Sequence, residues 1–332
     1  MTRVLYVDSR HNTFTRIDRE LLESRFEVDE YFQAGAVPRI RELVSKLRRC
    51  DVVFGWHASW HTLAALWVAR ILGKPSVLVI GGFDTASVPE IGYGNQQDPL
   101  RKWRSRLTTR AATRLMTNSN YSRSEIEQNM GIPGSRVRVV HHGLEDRFGA
   151  TDPAAKRRVA LTVGVVHRWN LERKGHRAFV EAASRLEDVE FVLAGRWEDD
   201  AVDLLRELAG ANVTLTGYLT DDELDHRFRE ATVYVQASWH EGFGLALAEG
   251  MLAGAVPVVT TRGALPEVVG ETGISLAGLT PDDIAAGVSR GLDLGPAEGA
   301  RARARVLEEF PVESRAAGII AEVEAAAQGL SS

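Results

Sequence analysis

The sequence predicts an α/β protein made of two doubly wound units. Short apolar strands alternate with helical segments along the chain, which is typical of mostly parallel sheets covered on both faces. A polar, proline-containing connector, residues 145–158, interrupts this alternation, which then starts again. The chain has 332 residues, of which 44% are hydrophobic, enough for two globular domains. We therefore expect domains at 1–150 and 151–312, with a C-terminal helix at 313–330 that packs back on the first.

In the first half, apolar runs predict buried strands, and helical spacing predicts the segments between them. Ile17, Leu21 and Leu22 fall on one side of a helix that follows the first strand. A later helix is expected to begin at Ser122 or Ser124, because serine is a common N-cap. The strands are predicted at 2–8, 51–56, 74–82, 114–119 and 136–143, and the helices at 14–25, 61–73 and 122–131.

The second half repeats the alternation with five further strand and helix pairs. Its strands are predicted at 159–166, 189–195, 213–217, 232–238 and 256–261, and its helices at 176–186, 201–210, 221–231, 243–254 and 264–270. An apolar-periodic helix, 314–330, ends the chain. In open parallel sheets, ligands bind where the carboxyl ends of strands meet helix N-termini, so we expect a ligand cleft between the two units. Helix N-termini attract anions, which favours a ligand that carries phosphate.

Composition narrows the class of protein. The single cysteine, Cys50, rules out an intrachain disulfide and a cysteine-ligated zinc, and fits a reducing cytosol. No apolar leader follows Met1, and charged residues and a proline interrupt the apolar stretch Leu63–Ile80, so we predict a cytoplasmic protein without a membrane span. The net charge of −5 combines a basic first half with an acidic second half. The basic run Arg101–Arg114 predicts either a solvated helix face or a peripheral membrane contact; nucleic acid is not expected, because no aromatic-basic recognition motif accompanies it.

Two carboxylates stand out in the glycine- and alanine-rich stretch Ser238–Thr260. Glu241 falls in a turn before a helix that begins near Gly244, and Glu249 lies inside that helix. The other helix residues are apolar all round, which indicates burial on most sides. An unpaired buried carboxylate costs several kcal/mol. We therefore expect Glu249 to have a hydroxyl or cationic partner, roughly 7 Å along the helix from a phosphate site at its N-terminus.

The same stretch resembles a known signature. In Glu241–Gly273, the spacing E-x7-E, then G-x-P-V-V, G-x-x-P-E and a further glycine, is similar to the C-terminal signature of the retaining glycosyltransferases of family 4, which have the GT-B fold. The first half matches more weakly, with His142 where an asparagine is usual and Glu145 where an aspartate is usual. The resemblance implies two Rossmann-like domains that face each other across a cleft, and transfer of a sugar from a nucleotide-diphosphate sugar to an acceptor hydroxyl.

The resemblance also implies roles for residues. Lys174 and an arginine, either Arg168 or Arg173, would bind the diphosphate, where two cations stabilise the leaving group. Glu241 would position the donor sugar and Glu249 would accept from the ribose hydroxyls. The remaining nucleotide-sugar contacts are expected from the base-holding turn and from the loop before the glutamate helix. Those residues are Gly217, Tyr218, Leu219, Gly242, Phe243 and Gly244.

The first half is expected to supply the acceptor site. Candidates there are His11, Asn12 and Thr13 after the first strand, and Asp84 at a later strand end, where a capping role is an equal alternative. The family works without a metal, so neither a metal nor another cofactor is expected, and the acidic run Glu198–Asp200 is interpreted as a solvated turn. Two other functions remain open: a nucleotide-sugar epimerase of GT-B fold, and a non-catalytic nucleotide-sugar-binding subunit.

Overall fold

The computed structural model describes residues 1–150 and 152–329. Its strands are β1 (Arg3–Asp8), β2 (Glu27–Phe32), β3 (Val52–Trp56), β4 (Ser76–Val79), β5 (Arg114–Thr117), β6 (Val137–Val139), β7 (Arg157–Val163), β8 (Glu190–Ala194), β9 (Val213–Gly217), β10 (Ala231–Gln236), β11 (Val256–Val259) and β12 (Ile274–Ser275). Its α-helices are α1 (Thr13–Glu23), α2 (Ile40–Arg49), α3 (Trp60–Ile71), α4 (Pro99–Ala111), α5 (Asn120–Glu125), α6 (Arg168–Arg173), α7 (His176–Ala182), α8 (Ala201–Leu208), α9 (Asp221–Glu230), α10 (Leu245–Leu252), α11 (Leu265–Val269), α12 (Pro281–Glu309) and α13 (Val312–Gln328).

The chain divides into two compact units, each with its own parallel sheet. Unit 1 comprises residues 1–143 together with the chain from Val312 onward, and its strands run in the order β2-β1-β3-β4-β5-β6. Unit 2 comprises Leu144–Pro311, with the order β12-β11-β10-β7-β8-β9. All pairings between these strands are parallel. Each unit is therefore a Rossmann-like α/β domain, as the alternation of elements predicts.

Both faces of each sheet bury apolar side chains. In unit 1, one cluster joins Leu66 of α3 to Leu78 of β4, and another joins Val79 to Ile319 of α13. In unit 2, Leu247 of α10 packs in one cluster and Phe179 of α7 in the other. Strands buried on both faces explain the continuous apolar runs of the sequence, since in such strands both sets of alternating side chains face a core.

Helix α13 belongs to unit 1 because a buried ion pair fixes it there. The Arg315 guanidinium donates to both oxygens of Asp18 on α1, at 2.9 and 2.6 Å, and both side chains are 1% exposed. Trp56 at the end of β3 donates its indole N–H to the same carboxylate at 2.9 Å. The division between the units falls after Gly143, whereas the sequence analysis placed it at residue 150. Leu144 lies in unit 2, where its amide donates to Phe310.

Two further predictions can be compared with the structure. The helix predicted to begin at Ser122 or Ser124 begins earlier, at Asn120, and Ser119 is its N-cap: the Ser119 hydroxyl accepts from the amide of Ser122. Within the described residues, no helix is both long enough and apolar enough to cross a bilayer. The apolar stretch Leu63–Ile80 forms most of α3 and β4 instead.

Candidate functional site

The carboxyl ends of two neighbouring strands of unit 2 bring Lys174 and Glu241 together. Strands β7 and β10 are adjacent in the sheet, so the segments that follow them lie side by side. Lys174 follows the short helix α6, and Glu241 lies in the loop between β10 and α10. The Lys174 ammonium donates to Oε1 of Glu241 at 2.9 Å. A partly buried charge pair therefore stands where open parallel sheets bind ligands.

Glu241 is held as a carboxylate by several donors. Its Oε1 accepts from Lys174, from the Ser238 hydroxyl at 3.0 Å and from the Gln236 amide at 3.1 Å, and Arg173 lies 3.9 Å away. Burial by itself would raise the pKa of Glu241. The positive charges of Lys174 and Arg173 and these hydrogen bonds outweigh burial and lower the pKa to about 2. The side chain is therefore ionised at neutral pH.

Two glycines allow the backbone to approach this pair closely. Gly175, directly after Lys174, has a φ of +68°, and a Cβ there would overlap the carbonyl oxygen of Ala237. Gly263 has a φ of +64°, and a Cβ there would lie 2.5 Å from the carbonyl oxygen of Glu241. Glycine tolerates both the positive φ and the close contact. The glycines of K-G and of the G-x-x-P-E segment thus fix the positions of the two charged residues.

The structure brings Arg173, and not Arg168, next to Lys174 and Glu241. Arg173 ends α6, and its guanidinium donates to Oδ1 of Asn170 at 2.9 and 3.1 Å. Arg168 begins the same helix, is half exposed, and pairs with Asp200 at 2.6 Å. The acidic run Glu198–Asp200 is thus engaged by protein donors: Asp199 accepts from the amides of Arg168 and Ala201. Of the two arginines, Arg173 is the second cation of the Lys174–Glu241 pair.

Glu249 lies on α10 beside a cation that the sequence analysis did not identify. Arg147 donates from Nη1 to Oε1 of Glu249 at 3.0 Å and from Nε to Asp225 at 2.7 Å. Burial raises the pKa of Glu249, and the charge of Arg147 acts against that shift. Arg147 precedes Glu249 by 102 positions, so no local pattern reveals the contact. Of the two kinds of partner expected for Glu249, a hydroxyl or a cation, the structure shows a cation, Arg147 of unit 2.

The loop before α10 is anchored by an aromatic contact. Phe243 is buried and packs edge to face on Phe310, with ring centroids 5.2 Å apart. Gly244 has a φ of +100° and immediately precedes the first turn of α10. Gly242 and Gly244 therefore flank an inward-pointing side chain, and Phe243 contributes to the core through its ring.

The turn predicted to hold a base follows β9. Gly217 ends that strand, Tyr218 is 75% exposed, and Leu219 packs on the core. Trp197, three residues after the end of the neighbouring strand β8, lies beside Gly217 and is 41% exposed. Tyr218 is thus not a core aromatic, and Trp197 is a second exposed ring that the sequence analysis did not single out.

In unit 1, Asp84 supports His57. Oδ2 of Asp84 accepts from the amide of Ala58 at 2.9 Å and lies 3.2 Å from Nδ1 of His57. Among the described residues, His57 is the one non-glycine with positive φ, +69°. Burial would lower the pKa of His57, but the Asp84 carboxylate raises it. Non-glycine residues in this conformation cluster at functional sites. No hydropathy pattern marks His57; only its place after a buried strand does.

The loop after β1 places its three candidates separately. His11 Nε2 lies 3.0 Å from Glu30, and its ring packs at a tilt against Phe32. Asn12 is the N-cap of α1, and Thr13 is its first residue. Ligand atoms of Asp8, His11 and Glu30 lie within 4.8 Å of one another. The protein already supplies donors to them, since Asp8 accepts from the amides of Ser9 and Arg10, and Glu30 accepts from Arg19. Each of the two carboxylates thus has at least one hydrogen-bond donor from the protein.

Comparison with known proteins matches each half of the chain to a model of glycosyltransferases. A model described as "Glycosyl transferases group 1" matches residues 157–293, and one described as "Glycosyltransferase Family 4" matches residues 10–148. The MMP α-(1→4)-mannosyltransferase of Mycolicibacterium hassiacum is 29% identical over 246 residues, which are 68% of this chain and 59% of the relative. The O-antigen chain mannosyltransferase B of Escherichia coli is 28% identical over 186 residues, 49% of this chain and 47% of the relative.

The chain thus spans about half the length of the curated relatives it matches. A solved structure of Anabaena HepE in complex with UDP-glucose superposes with a TM-score of 0.79 at 17% identity, covering 98% of this chain and 100% of that one. At that identity the likeness shows the fold alone, which is GT-B. The two family models thus lie on successive halves of the chain, and each half is a Rossmann-like unit, so the chain has the GT-B fold and resembles glycosyltransferases along most of its length.

Proposed function

We propose that this chain transfers a hexosyl group from a nucleotide-diphosphate sugar to an acceptor hydroxyl with retention of configuration. The observation that carries the proposal is the partly buried Lys174–Glu241 pair, with Arg173 beside it, at the carboxyl ends of β7 and β10. Two cations next to a carboxylate that is ionised at neutral pH suit a leaving diphosphate and a sugar that gains positive charge. The mannosyltransferase names of two relatives and the UDP-glucose bound to HepE support the donor class.

Lys174 and Arg173 neutralise the diphosphate in this proposal. As the bond between the anomeric carbon and the phosphate oxygen breaks, its electron pair passes to the diphosphate. The acceptor oxygen bonds to the same face of that carbon, and its proton passes to the leaving phosphate oxygen. The oxocarbenium-like sugar is stabilised by the charge of Glu241. Oε1 of Glu241 holds three protein donors, which leaves Oε2 to accept from a sugar hydroxyl.

Other parts of the two units take supporting roles. Oε1 of Glu249 is engaged by Arg147, and its second oxygen is proposed to accept from the ribose hydroxyls. Tyr218 and Trp197 offer exposed rings to the base, next to Gly217. The acceptor is proposed to meet unit 1, where Asp84 holds His57 at the strand ends. No metal is included, because the two cations supply the charge that the diphosphate needs.

The first test measures nucleotide binding by calorimetry after a thermal-shift screen of UDP-, GDP-, ADP- and TDP-sugars. Lys174→Ala should weaken nucleoside diphosphate binding on the order of tenfold to a hundredfold, because it removes a hydrogen bond between charged groups. Binding of the bare nucleoside should change little. Arg173→Ala should resemble Lys174→Ala.

Arg168→Ala is the matched control, since it removes a cation from the other end of the same helix. It should leave binding nearly unchanged, because Arg168 is paired with Asp200. An equal loss of nucleoside and nucleoside diphosphate binding in Lys174→Ala would show that Lys174 does not contact the phosphates. With a donor identified, retention is checked by the anomeric configuration of the product.

A further inference from the structure

Helix α4 of unit 1 presents an exposed surface that combines cations with large apolar side chains. Leu100 is 63% exposed and Trp103 57% exposed, and with the half-buried Leu107 they recur at i, i+3 and i+7 on one side of the helix. Arg106 and Arg110 are exposed and lie on the same side. The opposite side holds Ser105, Thr108 and Thr109, which are buried. The helix therefore has an inner face that packs on unit 1 and an outer amphipathic face.

The neighbouring helix α3 extends this surface. Arg70 donates from Nη1 to the backbone carbonyl of Arg110 at 2.9 Å, which joins the C-terminal turns of the two helices. Trp67, one turn earlier on α3, is 36% exposed, and the Arg70 guanidinium lies 5.9 Å from its ring centroid. We call Trp67, Arg70, Leu100, Trp103, Arg106 and Arg110 the basic-aromatic face.

The cations of α4 have no carboxylate partners. The helix sequence contains no Asp or Glu. Among the described residues, none of Arg101, Lys102, Arg104, Arg106 and Arg110 pairs with a carboxylate. By contrast, Arg16, Arg19 and Arg25, on or just after α1, each pair with a glutamate. Unit 1 as a whole carries 22 Lys and Arg against 17 Asp and Glu, a net charge of +5, whereas unit 2 carries −10.

We propose that the basic-aromatic face docks on a bilayer that contains anionic lipids. Basic residues near an anionic bilayer gain about 1 kcal/mol each, and tryptophan rings favour the headgroup region. Two exposed tryptophans and an exposed leucine lie beside cations that have no carboxylate partner. This combination suits the surface of an anionic bilayer better than bulk water. Nucleic acid is the less suitable partner, since exposed leucine has no role on a phosphate backbone.

The test is co-sedimentation of the full chain with vesicles of POPC or of POPC with 30% POPG at 100 mM and 500 mM NaCl. No sugar donor is needed, so the result is independent of the proposed transfer activity. The wild type should bind the anionic vesicles, bind plain POPC much less, and be released by high salt. Arg106→Gln with Arg110→Gln should weaken binding about thirtyfold, from about 1 kcal/mol for each cation. Trp103→Ala should weaken it roughly several-fold.

The matched control is Arg25→Gln with Arg138→Gln, which removes the same charge from elsewhere on unit 1. Val137 packs in the cluster that contains Leu66 of α3, so strand alternation directs Arg138 to the other face of the sheet. Arg25 pairs with Glu324 of α13. The control should bind anionic vesicles like the wild type, with all variants keeping the wild-type melting temperature. Equal loss in control and α4 variants, equal binding to both vesicle types, or retention on a DNA duplex but not on vesicles would overturn the proposal.

Discussion

Single residues decide the electrostatics of the candidate donor site. Glu241 is ionised because Lys174, Arg173 and the Ser238 hydroxyl more than compensate for its burial. Its local neighbours in the sequence do not reveal this, since Lys174 precedes it by 67 positions. The pair is therefore a product of strand order: β7 and β10 lie side by side although two strands separate them along the chain.

The depressed pKa of Glu241 predicts that unit 2 loses stability in acid. The folded pKa of about 2 lies below the ordinary value of 4.5, so the contribution is complete above pH 4.5 and is lost as the pH falls toward 2. Between pH 6 and pH 3 the wild type should lose about 2 kcal/mol more unfolding free energy than Glu241→Gln. Urea unfolding at both pH values measures this. Parallel losses in the two proteins would contradict the assignment of the shift to Glu241.

The position of α13 depends on a buried charge pair. Arg315 and Asp18 are both 1% exposed, and Arg315 also donates to the backbone carbonyl of Val140 at 2.5 Å. Removing one member of such a pair leaves an uncompensated buried charge, whereas exposed pairs contribute little. The helix is therefore held by its first turns as well as by the apolar contacts of Ile319 and Val323.

Arg315→Ala should lower the unfolding free energy of unit 1 by about 3–5 kcal/mol, because it leaves the buried Asp18 carboxylate without a counter-charge. Arg25→Ala, which breaks the exposed pair with Glu324 of the same helix, should cost less than about 1 kcal/mol. Urea denaturation of both variants provides the comparison. Similar small effects would indicate that the apolar face of α13 alone retains it.

The sequence predicted elements best where periodicity was strong. Helices α1, α3 and α8 and the buried strands appear where apolar spacing indicated them, and α10 begins at Leu245, directly after Gly244. The start of α5 was predicted too late, because its N-cap, Ser119, was assigned to the end of the preceding strand. The local sequence also could not show whether Arg168 or Arg173 lies beside Lys174 and Glu241. The two arginines stand at opposite ends of the short helix α6, and only the fold shows which end faces Glu241. Arg147 and His57 could not be identified from the sequence, because their partners Glu249 and Asp84 lie far from them along the chain.

At the scale of the whole molecule, the two units differ in how the chain builds them. Unit 2 is one continuous segment, and both of its apolar clusters are drawn from residues 144–311. Unit 1 is discontinuous, because one of its clusters includes Ile319, Val323 and Ala326 of α13. A continuous segment with a complete core is expected to fold alone.

The fragment 144–311 should therefore unfold cooperatively and keep nucleoside diphosphate binding, because Lys174, Arg173, Glu241 and Glu249 all lie within it. The fragment 1–143 should lack a cooperative transition until a peptide of residues 312–328 is added. Circular dichroism during urea unfolding distinguishes the two. A fragment 1–143 that folds by itself would show that α13 is dispensable to the unit 1 core.

The ion pair between Asp18 and Arg315 also joins two parts of unit 1 that the ribosome makes at different times. The two partners are 297 positions apart, so the aspartate leaves the ribosome long before the arginine is synthesised. During that interval Asp18 lacks its counter-charge, and one apolar face of the unit 1 sheet lacks the residues of α13. Unit 2 precedes α13 in the sequence and can already be folded. Unit 1 therefore completes its core only after α13 has been synthesised, later than unit 2.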